Sequence, residues 1–150
     1  MSNYITLTIP GDPISQQRPR LFRRGRNTHC FDPQSREKHE VKQYIQSKLE
    51  DKEWSYPTYP KVNLFFYMPV PKSFAKEDRA LAVNEKLRHI KKPDVDNLIK
   101  FYLDCMSGLV LKDDNCVSIG KAMKIYSNNP RTTIFVEDQS KYISEVDIYG

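Results

Sequence analysis

Asp94, Asp96, Lys100 and Asp104 stand close together in KKPDVDNLIKFYLDCM, residues 91–106, and two further acids, Asp113 and Asp114, follow in LVLKDDNCV. Acids and a lysine at this density suit one chemistry. A hard divalent ion such as Mg²⁺ takes one to a few carboxylates together with waters and phosphate oxygens. The simpler reading is structural. One acid caps a helix and complements its dipole, Lys100 bridges Asp96 and Asp104 at a spacing of four, and Asp113 and Asp114 form a polar turn. In isolation each stretch favours that reading. Together they do not, because a cap needs one acid, whereas two precede the first turn and a second pair follows downstream.

Helix geometry narrows where the acids can converge. At ~100° per residue, positions two apart point to roughly opposite sides, so Asp94 and Asp96 cannot meet from mid-helix. They can meet where an extended segment turns into a helix. Pro93 keeps Lys92 out of helical geometry and places that boundary here. Beyond it, Asp96, Lys100 and Asp104 share one face, and most other positions are apolar. A helix apolar on most of its circumference is buried. Its charged stripe is therefore expected to risk burial and to need partners or a metal.

Other metal and nucleotide motifs are absent. An EF-hand loop counted from Asp94 would need glycine and glutamate where Ile99 and Cys105 stand. His29, Cys30 and His39 are too few and too irregular for zinc. No GxSxG, P-loop or GxGxxG occurs. His29 and His89 are expected in loops near phosphate or solvent.

These residues need a scaffold. At 150 residues the chain is read as a single domain, 1–150, large enough for its own core. A hydrophobic fraction of 39% with 11% aromatics places it among globular rather than disordered chains. ITLTI (5–9) alternates as a first strand, closed by Pro10, Gly11 and Pro13. SQQRPRLFRRGRNTH shows neither period and reads as a long basic loop. Asp32 followed by Pro33 starts a helix carrying Val41, Tyr44, Ile45 and Leu49 at helical spacing. In 61–70, Val62, Leu64, Phe66 and Met68 line one face of a second strand. Residues 74–88 read as a polar helical insertion, exposed to solvent. A helix over 95–107 follows, then CVSIGKAMKIY and RTTIFVE as two strands forming a hairpin around Ser127–Pro130. This order predicts an α/β (α+β) domain, a mixed sheet with flanking helices.

Charge and cysteine usage bear on partners. The net charge is +5, and it comes in two clusters. Arg18, Arg20, Arg23, Arg24 and Arg26 fall within nine residues, while Lys86, Arg88, His89, Lys91 and Lys92 abut the acids. Such clusters are an electrostatic footprint for nucleic acid. Cys30, Cys105 and Cys116 are odd in number with no CxxC, so free thiols in a reducing compartment are expected. No apolar run approaches a membrane span. MSNYITLTIPGDP carries no basic segment followed by an apolar core, so no secretory signal is expected.

KPDVDNLIKFYLD, followed at short interval by GLVLKDDNCVSIGKAMKIY, resembles the RusA-type Holliday-junction resolvases, and IPGDPISQQRPR resembles their opening. The similarity runs from residue 4 to about 137. The resemblance implies a small homodimeric endonuclease that uses Mg²⁺, with Mn²⁺ able to substitute, to nick branched, four-way DNA junctions in recombination and repair. By motif, the metal-site acids fall on Asp94, Asp96 and Asp114, with Asp113 in reserve, and the functional lysine falls on Lys100. Asp104 would position Lys100. Arg18, Arg20, Arg23, Arg24, Arg26, Arg88, Lys91 and Lys92 would meet DNA phosphates. The expected setting is the cytoplasm of a bacterium, the gene being the host's or a phage's, with no membrane and no small-molecule cofactor. Phe65, Phe66 and Tyr67 are candidates for the dimer interface, at least one of them rather serving the core. Three readings compete. A non-catalytic DNA-binding module would use the acids only as caps and bridges. A nuclease for flaps, forks or nicked duplex would keep the chemistry and change the substrate. A nucleotide-sugar transferase would need a larger nucleotide-binding domain and would leave the arginines unexplained.

Overall fold

The computed structural model describes residues 3–18 and 20–150, Arg20 by its backbone alone. β1 (Tyr4–Pro10), β4 (Pro60–Pro69), β5 (Ile119–Ser127) and β6 (Arg131–Asp138) form one sheet in the order β1-β6-β4-β5. β6 runs antiparallel to both β1 and β4, and β5 runs parallel to β4. The predicted class, a single α+β domain with a mixed sheet, is what forms.

One sheet face is apolar because the side-chain period is two. Ile5, Leu7 and Ile9 of β1, Val62, Leu64, Phe66 and Met68 of β4, and Ile134 and Val136 of β6 are all buried there. Two helices cover this face. α1 (Ser35–Leu49) contributes Val41 and Ile45, and α3 (Val95–Met106) contributes Leu98, Phe101, Tyr102, Cys105 and Met106. Phe66 meets the Tyr102 ring at 5.8 Å between centroids, which couples the sheet centre to α3. Burial pushes the Cys105 thiol up to about 12, so it is inert at neutral pH. All three cysteines are free thiols.

Parallel strands cannot be joined by a tight turn, so the β4-to-β5 connection must cross over. That crossover carries α2 (Lys76–Val83) and α3. The sheet topology thus fixes α3, with its acids, on the buried face of the sheet.

Several expectations are corrected. β5 and β6 do not form a hairpin, because β4 lies between them and pairs with both. The short link after Ser127 passes over the end of β4, a distance of about 10 Å that three or four extended residues span. The basic segment is a loop only over its first residues, 15–18. β2 (Arg20–Arg24) and β3 (Asn27–Phe31) make a separate antiparallel hairpin. Gly25, at φ 63, occupies the first of two turn positions, which suits a type II′ turn. Every residue of β3 is exposed, so no alternation of apolar and polar residues marks the strand. Helix α1 begins later than Asp32–Pro33 suggests, with Gln34 at its N-cap. The Asp32 carboxylate instead accepts the Gln34 amide at 2.8 Å in a turn before the helix. The stretch 74–88 is helical only over α2, and it is not merely exposed. Ala82 is buried, and the chain beyond α2 pairs with the outer edge of β5, Arg88 bridging Ile125. This covers part of an edge that would otherwise offer unpaired amides.

A last helix, α4 (Glu145–Tyr149), ends the chain behind a capping box made by Ser144 and Asp147. Among the described residues no helix is long and apolar enough to cross a membrane.

Candidate active site and nucleic-acid interface

Asp94 sits at the N-cap of α3 in extended geometry, φ −68 and ψ 143, yet its side chain makes no capping hydrogen bond. The carboxylate in the position to cap is therefore not used for capping. Asp96 lies in the first turn and Lys100 one turn further, and all three side chains are exposed. Among the described residues none of the three forms an ion pair: the ion pairs are Arg36–Glu40, Lys38–Asp32, Lys38–Asp104 and Arg131–Glu85. The charged stripe is not buried, contrary to expectation. The sheet takes only one side of α3, and Val95, Asp96 and Lys100 face away from it.

Asp104 does not position Lys100. It stands 3.5 Å from Lys38 of α1, whose ammonium also holds Asp32 at 2.7 Å. Lys38 is nearly buried, its side chain 14% exposed. Desolvation pulls its pKa down, but the two carboxylates outweigh it and raise the net value. The hydrogen bond from Lys38, aided by the Gln34 amide, holds Asp32 below the usual carboxylate range. A depressed folded-state pKa contributes stability above the unfolded value and loses it as pH falls through the folded one. Asp32→Asn should therefore lower stability at pH 7 by on the order of 1 kcal/mol. In urea melts the difference from wild type should shrink as pH drops below about 4. An undiminished difference in acid would remove the carboxylate's role.

The second acid pair is placed by the core. After α3, Gly108 takes φ 83, and Val110 and Leu111 are fully buried. Trp54 Nε1 donates to the Val110 carbonyl at 2.9 Å, and the Tyr56 hydroxyl to the Gly108 carbonyl at 2.8 Å. Anchored so, the chain emerges at Asp113 and a single 3₁₀ turn, Asp114–Cys116, packed near α3. The Asp113 and Asp114 carboxyls interact directly. Sharing a hydrogen bond holds Asp113 down and pushes Asp114 up, and Asp104's charge raises Asp114 further. Among the described residues neither acid forms an ion pair, and two adjacent unpaired acids are an arrangement a cation relieves.

The donor chemistry fits a hard ion, since the exposed acids are all carboxylates. The assembly is less complete. Among the described residues no three His, Cys, Asp or Glu side chains stand close enough together to form a ready metal cage. Asp94 and Asp96 occupy the start of α3, and Asp113 and Asp114 the 3₁₀ turn beyond its end.

Other residues at the site escape sequence reasoning. Residues 14–17 are clamped onto α3. The Ile14 amide donates to the Tyr102 hydroxyl at 2.9 Å and the Gln16 amide to the Asn97 carbonyl at 2.9 Å. Buried Gln34 ties this segment back, accepting from the Gln17 amide and donating to the Ser15 carbonyl, both at 2.7 Å. An open cleft results, lined by Ser15, Lys92, Pro93, Asp94 and Asn97. Lys124 of β5 donates to the Lys91 and Pro93 carbonyls at 2.6 and 2.8 Å, fixing the approach to Asp94. No motif announces these contacts, because each joins residues distant in sequence through a backbone atom.

The basic residues divide into two groups. Arg88, Lys91 and Lys92 are exposed beside the start of α3. Arg18 is exposed, and Arg23, Arg24 and Arg26 are exposed on the hairpin, while the Arg20 side chain lies outside what is described. His29 is exposed on β3. His89 lies between elements, as expected, but does not face solvent: it is buried against Tyr126, 4.8 Å between rings. Burial lowers its pKa, and Lys124 and Lys91 lower it further. Phe66 belongs to the core, whereas Phe65 packs edge-on to Phe135 and Tyr67 lies under Arg131 on the opposite sheet face.

A family model described as "Endodeoxyribonuclease RusA" matches residues 10–137. The chain is also 34% identical over 140 residues to "Uncharacterized protein YqaN" of Bacillus subtilis (strain 168), an alignment covering 91% of this chain and 97% of that protein.

Proposed function

This chain belongs to the endodeoxyribonuclease RusA family, and from that premise we propose a Mg²⁺-dependent, structure-selective endonuclease that resolves four-way DNA junctions. Paired symmetric nicks in opposed strands would be its product, in recombination and repair, within a bacterial cytoplasm. The observation that carries this reading is the start of α3. Asp94 sits at the cap position without capping, Asp96 and Lys100 follow on an open face, and none of them has an ion-pair partner among the described residues.

Asp94, Asp96 and Asp114 would hold Mg²⁺, with Mn²⁺ able to substitute and Asp113 in reserve. The ion, when bound, supplies a more acidic water and charge neutralisation at the phosphate. The chain's own groups do the rest. Lys100, fixed one turn past Asp96, presents its ammonium to the charge developing on phosphate oxygens or orients the attacking water. Without a cation the acids repel DNA, so the two basic clusters supply phosphate contacts and a steep salt dependence. No base-reading motif is present, so recognition rests on shape.

A four-way junction has two-fold symmetry. Cutting opposed strands calls for two sites related by the same axis, hence a C2 homodimer. A substrate panel tests the proposal: a synthetic junction, a flap, a fork and a linear duplex, each with Mg²⁺. Cleavage concentrated on the junction is expected. Cleavage of flaps or forks alone would change the substrate, and binding without cleavage of any of them would leave a DNA-binding module.

A further inference from the structure

The β2–β3 hairpin carries more than charge. Its register sets Phe22 opposite His29 and Arg24 opposite Asn27, so one face carries an arginine beside stacked rings. The Phe22 and His29 rings stack at 5.2 Å with planes 22° apart, and Phe31 meets Phe22 edge-on at 6.2 Å. A cross-strand aromatic cluster of this kind helps hold a two-stranded hairpin together. That role alone does not explain the exposure. Phe22 and Phe31 each remain 47% exposed, and among the described residues neither belongs to the main core. Nor is there an acid in the hairpin to neutralise its arginines. No Asp or Glu lies between Asp12 and Asp32.

We propose that this aromatic face of the hairpin stacks on unpaired or unstacked bases at the branch point of DNA, and so distinguishes branched from linear substrates. In a linear duplex, base faces are occupied by their neighbours, and only phosphates are open to arginine. At a branch, faces become available, and aromatic stacking on them is tolerant of sequence. Arginine on the same face and in the turn holds the flanking backbone, and Phe22 supplies the contact that only a branch satisfies. The proposal names a specificity element for the nuclease reading and rests on it for the substrate class alone.

The test places 2-aminopurine at the branch of a synthetic four-way junction, with linear duplex of the same sequence as control, in buffer free of divalent ions. Wild-type protein should change the reporter's fluorescence at the branch and not in the duplex. Phe22→Ala should lose that change and weaken junction binding about tenfold, leaving duplex binding within about twofold. Phe22→Tyr, which keeps a ring, should behave as wild type. An unchanged reporter with wild-type protein overturns the proposal whatever the variants do. So does an equal loss of junction and duplex binding in Phe22→Ala, or a shift of that variant from dimer to monomer in sedimentation, which would make the face a protein contact. Cleavage with Mg²⁺ is scored separately. Branch-dependent stacking without cleavage defeats the nuclease reading alone, and cleavage without stacking defeats this inference alone.

Discussion

Asp96→Asn is expected to reduce junction cleavage by at least about a thousandfold, a loss of ~4 kcal/mol of transition-state stabilisation. The substitution keeps the side chain's size and removes its charge. Asp96 is exposed in the first turn of α3 and has no hydrogen-bonded or ionic partner among the described residues. A purely structural acid at that position contributes a few tenths to about 1 kcal/mol through the helix dipole. Folding should therefore barely change, and the melting temperature of the variant should stay within a few degrees of wild type. Junction affinity should hold or rise, because one negative charge facing the phosphates is gone. A variant that cuts at near wild-type rate would show that Asp96 only complements the helix dipole.

Phe66→Ala should have the largest effect on stability, about 3–5 kcal/mol. Phe66 is fully buried in β4, the strand that pairs with both β5 and β6. Its ring packs on Tyr102, whose hydroxyl accepts the Ile14 amide. Truncation leaves a cavity between the sheet and α3 and loosens the clamp on residues 14–17. Urea unfolding should show a lower midpoint at unchanged slope. A cost below about 1 kcal/mol would mean that the sheet and α3 close over the gap.

The elements that could be read from the sequence are those buried on one side. β1, β4, the body of α1 and α3 show their periods because a core takes one face of each. The β2–β3 hairpin shows none, since solvent meets both faces, and only Gly25 ahead of Arg26 signals its turn. β5 and β6 are adjacent in sequence but separated by β4, an arrangement set by register across the sheet rather than by any local signal. At the candidate site, the acids and Lys100 stand out by type and spacing. Their partners were not. Spacing by four suggests Asp104 with Lys100, whereas packing of α1 on α3 gives Asp104 to Lys38. The capping reading of Asp94 also needed geometry, because only the side-chain contacts reveal that the cap bond is not made. The burial of His89 is hidden for the same reason: it stands in a strongly basic stretch, but its amide donates to the Lys124 carbonyl at 3.0 Å, at the edge of β5.

The most direct measurement uses wild-type protein, Mg²⁺ and a four-way junction whose opposed strands carry different labels, with nicks mapped on each strand and a chelated control beside it. Nicks are expected at symmetric positions in both opposed strands, none in linear duplex, and none after chelation. Stable junction binding with both strands intact in Mg²⁺ and in Mn²⁺ would contradict the nuclease reading.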